Sequence, residues 1–228
     1  MLVLFLSCSS PETSVLTSRE PDSLLVPVDV AGHELLMMVD TGAVLSALMP
    51  RGLDALGVAA PADGPALLLE TANGLIQAPL LRMPPLSLAG LEHTTATGLL
   101  CAHCPEGADG LLGLNLLAHY EMQVDVVAGT VSLTPLAAAP SQHRDIAPWL
   151  DIAVRRQPLA GQPGVRITVT NHSPWPVRSL DVRVACLPKT PLTFAALQPD
   201  EHRAQQLNTP GGHPCEDDAA AVVDARWQ

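Results

Sequence analysis

Apolar and polar residues alternate with period two through most of this chain. In LLVPVDV, Val26, Val28 and Val30 fall on one side of an extended backbone and Pro27 and Asp29 on the other, which predicts a half-buried strand. A turn at Ala31-Gly32-His33 would return it as ELLMMVD, a second strand that delivers Asp40 at its end. ALLLETANGLIQAPLL has the same form. Two apolar arms flank Thr71-Ala72-Asn73-Gly74, and Asn-Gly between such arms is a strong hairpin signal. More strand is expected in LSLAGLEHTTATGLL and in DGLLGLNLLAHYEMQVDVVAGTVSLTPL. In the latter, Asn115 is expected to cap a short helix running through Tyr120, with a closing hairpin over 122–126 and 130–133 that turns at Ala128-Gly129.

The pattern divides the chain. Residues 1–21 read as a signal-like tail and tether rich in Ser, Pro, Thr and Glu, and 22–136 as a first β domain. AAAPSQHRDIAP, 137–148, loses periodicity and reads as a linker. Over 149–228, WLDIAVRRQ, GVRITVTNHS, VRSLDVRVACL and AAAVVDARW alternate apolar with charged residues across Pro, Gly and Asn turns, which suggests a small Ig-like β-sandwich. The expected class is therefore all-β.

Composition sharpens this reading. Of 228 residues, 47% are hydrophobic, enough for a real core, while the 22 prolines and 3% aromatics favour short strands and loops over long helices. A formal charge of −11 repels nucleic acid and anionic membrane surfaces, so neither is an expected partner. MLVLFLSCSS is too short an apolar run to span a bilayer, and the small residues around Cys8 resemble the end of a bacterial lipoprotein signal, the tail of a longer leader. Lipid on Cys8 would be the sole membrane anchor and would place the chain in the periplasm or at the outer membrane. It would also leave Cys101, Cys104, Cys186 and Cys215, an even number for pairing. A cytoplasmic location is the alternative, in which the same count is unremarkable.

Asp40 poses the chemical question. An ionised carboxylate at the end of LLMMVD is costly to strip of water, so it is paired, solvated in a cleft, or kept for chemistry. Asp40-Thr41-Gly42 alone is simply a turn in which Asp accepts backbone N–H groups. Its context is VDTGA at 39–43, the Gly-tipped TANG at 71–74, and DGLLGLNLLAHYEMQVD at 109–125. In this order and spacing the three resemble the retropepsin-like aspartic peptidases, in particular bacterial members of that group, over about residues 22–136.

The resemblance implies a closed retropepsin-like β-barrel domain with one short helix, hydrolysis of peptide bonds, and no cofactor or metal. It makes Asp40 the catalytic carboxylate, Thr41 a hydrogen-bonding lock and Gly42 the point of close backbone approach. Ala43 and the flap residues Ala72, Asn73 and Gly74 would hold an extended protein or peptide substrate, and Leu111, Leu112 and Gly113 would pack behind the loop. Leu75 and Ile76 are candidate pocket walls. Because the chain has no second Asp-Thr-Gly or Asp-Ser-Gly, the resemblance implies a homodimer in which two copies of Asp40 meet.

Other features compete. Cys101-Ala-His-Cys104 reads as a local disulfide, a pair of thiols or half a metal site, and no second CxxC completes four ligands. Cys186 and Cys215 would staple the second domain of an exported chain. The eight histidines form no HExxH, Asp125 reads as a surface residue, Ser46 has no His partner for a nucleophile, and Asn171-His-Ser173 reads as a chance sequon. Two other functions stay open beside the peptidase: a non-catalytic binding or scaffold protein on the same fold, and a metal or redox protein built on Cys101 and Cys104.

Overall fold

The computed structural model describes residues 12–20, 24–61, 65–71, 74–102, 107–138, 140–187, 191–209 and 220–227. The chain divides into two compact units, Met1–Pro140 and Ser141–Gln228.

Part of the stretch read as a tether is a strand. β1 (Ser14–Thr17) lies at a sheet edge, with Ser14 and Leu16 half-buried and Val15 and Thr17 exposed. β2 (Leu25–Val30) and β3 (His33–Val39) form the expected first hairpin, with Val26, Val28, Val30, Leu35 and Met37 buried. Ala31 and Gly32 both take left-handed conformations, φ 51° and 83°, and the Gly32 N–H donates to Asp29 Oδ1 at 2.9 Å. After β4 (Ser46–Leu48) comes α1 (Pro50–Leu56), a helix the alternation did not predict. Proline starts it where no N–H is needed, and Gly57 ends it at φ 64°. The unit continues with β5 (Ala66–Thr71), β6 (Gly74–Arg82), β7 (Leu86–Leu88), β8 (Leu91–His93), β9 (Thr97–Leu100), β10 (Gly110–Leu112), α2 (Leu114–Leu117), β11 (Tyr120–Asp125) and β12 (Thr130–Pro135).

Nine strands form one sheet in the order β5-β6-β9-β4-β10-β3-β2-β7-β8, and β1-β12-β11 form a second. Most neighbours are antiparallel. The exceptions are central: β10 runs parallel to β3, and β4 parallel to β9. Parallel neighbours need long crossovers, so residues about seventy positions apart (β3 with β10) and about fifty apart (β4 with β9) are brought side by side. Met37, Leu48, Leu112 and Leu116 from the large sheet and α2 share one core with Val131 and Leu133 of β12. Burying each such side chain stabilises the fold by roughly 1.5–3 kcal/mol.

α2 corrects the expected helix. It stops at Leu117 rather than Tyr120, which opens β11, and Gly113 rather than Asn115 occupies its N-cap. Asn115 lies inside the helix, and its side chain is committed to partners elsewhere.

In the second unit, α3 (His143–Ile146) and a tight 3-10 turn at Ala147–Trp149 occupy much of the segment read as linker. β13 (Leu150–Arg156), β14 (Gly164–Asn171), β15 (Val177–Val184), β16 (Leu192–Phe194), β17 (His202–Asn208) and β18 (Ala220–Trp227) make two three-stranded antiparallel sheets, β13-β14-β17 and β16-β15-β18. Each buries one apolar face, through Val165, Ile167 and Val169 in the first and Leu180, Val182 and Val184 in the second. Trp175 stacks edge-on against Trp149 and Trp227, at centroid distances of 5.6 and 5.4 Å. The sequon asparagine, Asn171, is fully buried. Its Oδ1 accepts from the N–H and hydroxyl of Ser173, and its amide donates to Trp175 O at 2.8 Å, so no glycan has room.

Candidate active site

The register of β10 on β3 builds the site. Leu111 lies beside Met38 and Leu112 beside Val39, so the Asp40 N–H donates to Leu112 O at 3.1 Å as the chain leaves β3. The loop then closes on itself. Asp40 Oδ1 accepts the Gly42 N–H at 2.8 Å, and Asp40 O accepts the Ala43 N–H at 3.3 Å. A Cβ at position 42 would sit 3.2 Å from Asp40 Oδ1, so glycine gives the carboxylate its closest backbone contact. Asp40 is partly exposed, Thr41 and Gly42 are exposed, and among the described residues no cation pairs with Asp40. Its Oδ2 has no partner among the described residues. The carboxylate is therefore held at one oxygen and open at the other, which suits a group that is to meet water or a second carboxyl.

The structure gathers Asp40, Thr41, Gly42 and Ala43 in one loop, with Leu111, Leu112 and Gly113 running beside it. Gly113 is where the two segments touch most closely. A Cβ there would meet Leu45 C at 2.5 Å and Ser46 N at 2.8 Å, both rigid backbone. Of the expected flap residues, Ala72 and Asn73 lie outside the described residues. Gly74 starts β6 at φ 108°, opposite Thr71, so β5 and β6 make the predicted hairpin. Leu68 and Leu75 on that hairpin are 70% and 68% exposed, large apolar surfaces without cover. Ile76 is half-buried.

Cys101 and Cys186 are both disulfide-bonded. Cys104 and Cys215, the partners expected from the sequence, lie outside the described residues, as does Cys8. Among the described residues no group of three or more His, Cys, Asp or Glu side chains could hold a metal ion.

Three polar residues that support the loop were not singled out for that role in the sequence. Asp109, buried, accepts the Leu36 N–H at 2.8 Å and the Arg51 guanidinium at 2.9 Å, tying β3 to α1 just ahead of β10. Gly52 permits this, since a Cβ there would overlap Asp109 O. Ser46 and Asn115, also buried, bond to each other behind the loop. A usable signal existed for two of them: Ser46 in VLSALM and Asn115 in LLGLNLL are polar residues inside apolar runs, the anomaly that marked Asp40.

A family model described as "gag-polyprotein putative aspartyl protease" matches residues 26–119. Among solved structures, a retropepsin-like aspartic protease from Rickettsia conorii is similar at 21% identity and a TM-score of 0.45, over 54% of this chain and 91% of that one. No curated protein matches the chain.

Proposed function

We propose, on the premise that residues 26–119 form a retropepsin-like aspartic peptidase domain, that this chain is an endopeptidase whose catalytic carboxylate is Asp40. The observation that carries the reading is Asp40 itself, fixed by Leu112 O and Gly42 N–H yet open at Oδ2. One carboxylate is half of the chemistry, and the chain has a single Asp-Thr-Gly. The working form is then a homodimer with two copies of Asp40 at a two-fold axis.

Two carboxyl groups that close cannot both ionise, so they share one proton and titrate as a pair. The ionised member takes a proton from a water between them as the water oxygen attacks the scissile carbonyl carbon. The protonated member gives its proton to the carbonyl oxygen, forming a neutral tetrahedral gem-diol. Collapse of that species returns protons to the dyad and the leaving amine, with no covalent acyl-enzyme. The role of Thr41 is to bond across the axis, that of Ala43 and the 72–74 tip to bond substrate backbone as a neighbouring strand would. Leu75 and Ile76, on an uncovered hairpin, suit apolar substrate side chains. In this reading the second unit is an Ig-like sandwich for recognition or association. The disulfides at Cys101 and Cys186 favour an oxidising compartment, in keeping with export and a lipid on Cys8.

The test is cleavage of a diverse peptide mixture between mildly acidic and neutral pH by the intact chain and by Asp40→Asn. Cuts made by the first and absent from the second support the assignment. A dimer that cuts nothing would instead favour a binding or scaffold protein.

A further inference from the structure

We infer that Asn115, acting with Ser46, is a positioning residue that sets where Asp40 stands without touching substrate; the inference rests on the peptidase reading above. Main-chain bonds first lay segment 112–115 along segment 40–46. Besides the Asp40 bond to Leu112, the Leu114 N–H donates to Ala43 O at 2.8 Å and the Asn115 N–H to Val44 O at 3.0 Å. The side chains then complete the seam. Asn115 Oδ1 accepts both the Ser46 N–H, at 2.8 Å, and the Ser46 hydroxyl, at 2.9 Å. With its proton so used, Ser46 Oγ accepts the Gly113 N–H at 2.9 Å. On its other side the Asn115 amide donates to Thr97 O of β9 at 2.9 Å. Ser46 and Thr97 are completely buried and Asn115 is 4% exposed, so water cannot replace any of these partners.

Of the groups served, Ser46 opens β4, the strand into which the Asp40 loop runs, Gly113 lies on the segment bonded to that loop, and Thr97 belongs to β9, the neighbour of β4 in the sheet. That is why the network bears on geometry as well as on stability. At a two-fold axis any displacement of the loop enters the separation of the two carboxylates twice, and a misplacement of about 1 Å at a reacting group costs on the order of 100-fold in rate. An apolar residue at 115 would match its neighbours in LLGLNLLAHY but could not hold Ser46. The hydroxyl of Ser46 is thereby accounted for: it serves as a structural relay.

The test compares the full chain with Ser46→Ala, Asn115→Ala and the double variant, well below each protein's melting temperature, by peptide cleavage and by hydrogen exchange resolved to short segments. The expected result is a kcat lowered at least tenfold with KM changed less than about threefold. The double variant should be no worse than Asn115→Ala alone, since both changes break one network. Amides of 40–46 should exchange at least tenfold faster while those of β11, β12 and the second unit stay as they were. If Asn115→Ala does not fold, Ser46→Ala carries the same readouts by itself. Faster exchange spread evenly over the first unit, or local loosening with kcat unchanged, overturns the inference. If the wild-type chain and Asp40→Asn both cleave nothing while exchange quickens only at 40–46, the anchoring stands and the peptidase reading falls.

Discussion

Acid should loosen the first unit through His93. This side chain, 9% exposed, meets Tyr120 Oη at 2.7 Å through Nε2 and packs edge-on against His119 at 4.8 Å. Tyr120 donates its hydroxyl proton to Leu88 O at 2.6 Å, so His93 must be the donor in their bond. Burial, and secondarily the charge of His119, pulls the His93 pKa down from 6.5 to about 4. Burial also lowers the pKa of His119, and burial together with nearby Glu92 raises that of Tyr120. The sign follows from proton uptake. Between pH 6.5 and about 4 the unfolded chain binds a proton at position 93 that the folded one refuses, so stability is complete above 6.5 and falls with falling pH. From pH 7 to pH 5 the loss attributable to His93 is about 2 kcal/mol, growing to about 3 kcal/mol near pH 4. The assay is urea unfolding at pH 7 and pH 5 of the wild type and His93→Gln, followed by far-UV circular dichroism. Tryptophan fluorescence serves as an internal control, because Trp149, Trp175 and Trp227 all lie in the second unit. His93→Gln should be less stable at pH 7 but lose about 2 kcal/mol less on acidification. Equal acid losses in the two proteins would refute the reasoning. The result bears on function, since it sets an acid boundary to the range in which a carboxyl dyad in this domain could work.

Three further outcomes are expected. Gly113→Ala drives a Cβ into the backbone of Leu45 and Ser46, so it should cost at least ~1–3 kcal/mol in urea unfolding and abolish cleavage together with it. Asp109→Ala strands the Leu36 N–H and should cost ~1–3 kcal/mol, whereas Arg51→Ala should cost less than ~1 kcal/mol because the guanidinium is exposed; equal costs would mean that the ion pair dominates. Asn171→Ala removes the acceptor of Ser173 and the donor to Trp175 O, and should destabilise the second unit by ~1–3 kcal/mol, read by tryptophan fluorescence; an unchanged midpoint would mean water replaces the amide.

Local rules made much of the fold legible. The β2–β3 hairpin followed from alternating valines and a turn able to take positive φ, and the β5–β6 hairpin from apolar arms around Asn-Gly. Helix α1 was missed because seven residues opening on proline in VLSALMPRGLDALG offer too few turns for a helical period to stand out. β1 was missed because a lone Val-Leu pair among Ser, Thr and Pro looks like a tether until a partner strand is supplied.

The sequence by itself determined the candidate chemistry: an Asp-Thr-Gly at a strand end, a Gly-tipped hairpin and a Leu-Leu-Gly segment, all encoded in runs of a few residues. Tertiary structure alone decided how the first and the last of these come together. The parallel pairing of β3 with β10 joins positions more than seventy residues apart, and nothing in either run states that register. Asn115 shows the difference most plainly. Read locally, it is a helix cap, because a short polar side chain near a helix start prefers to bond its own backbone. In the fold, Gly113 takes the cap position and burial leaves Asn115 no water, so its amide satisfies Ser46 and Thr97 instead. Periodicity and turn chemistry are properties of neighbours in sequence, whereas satisfying a buried polar group depends on which distant atoms arrive beside it.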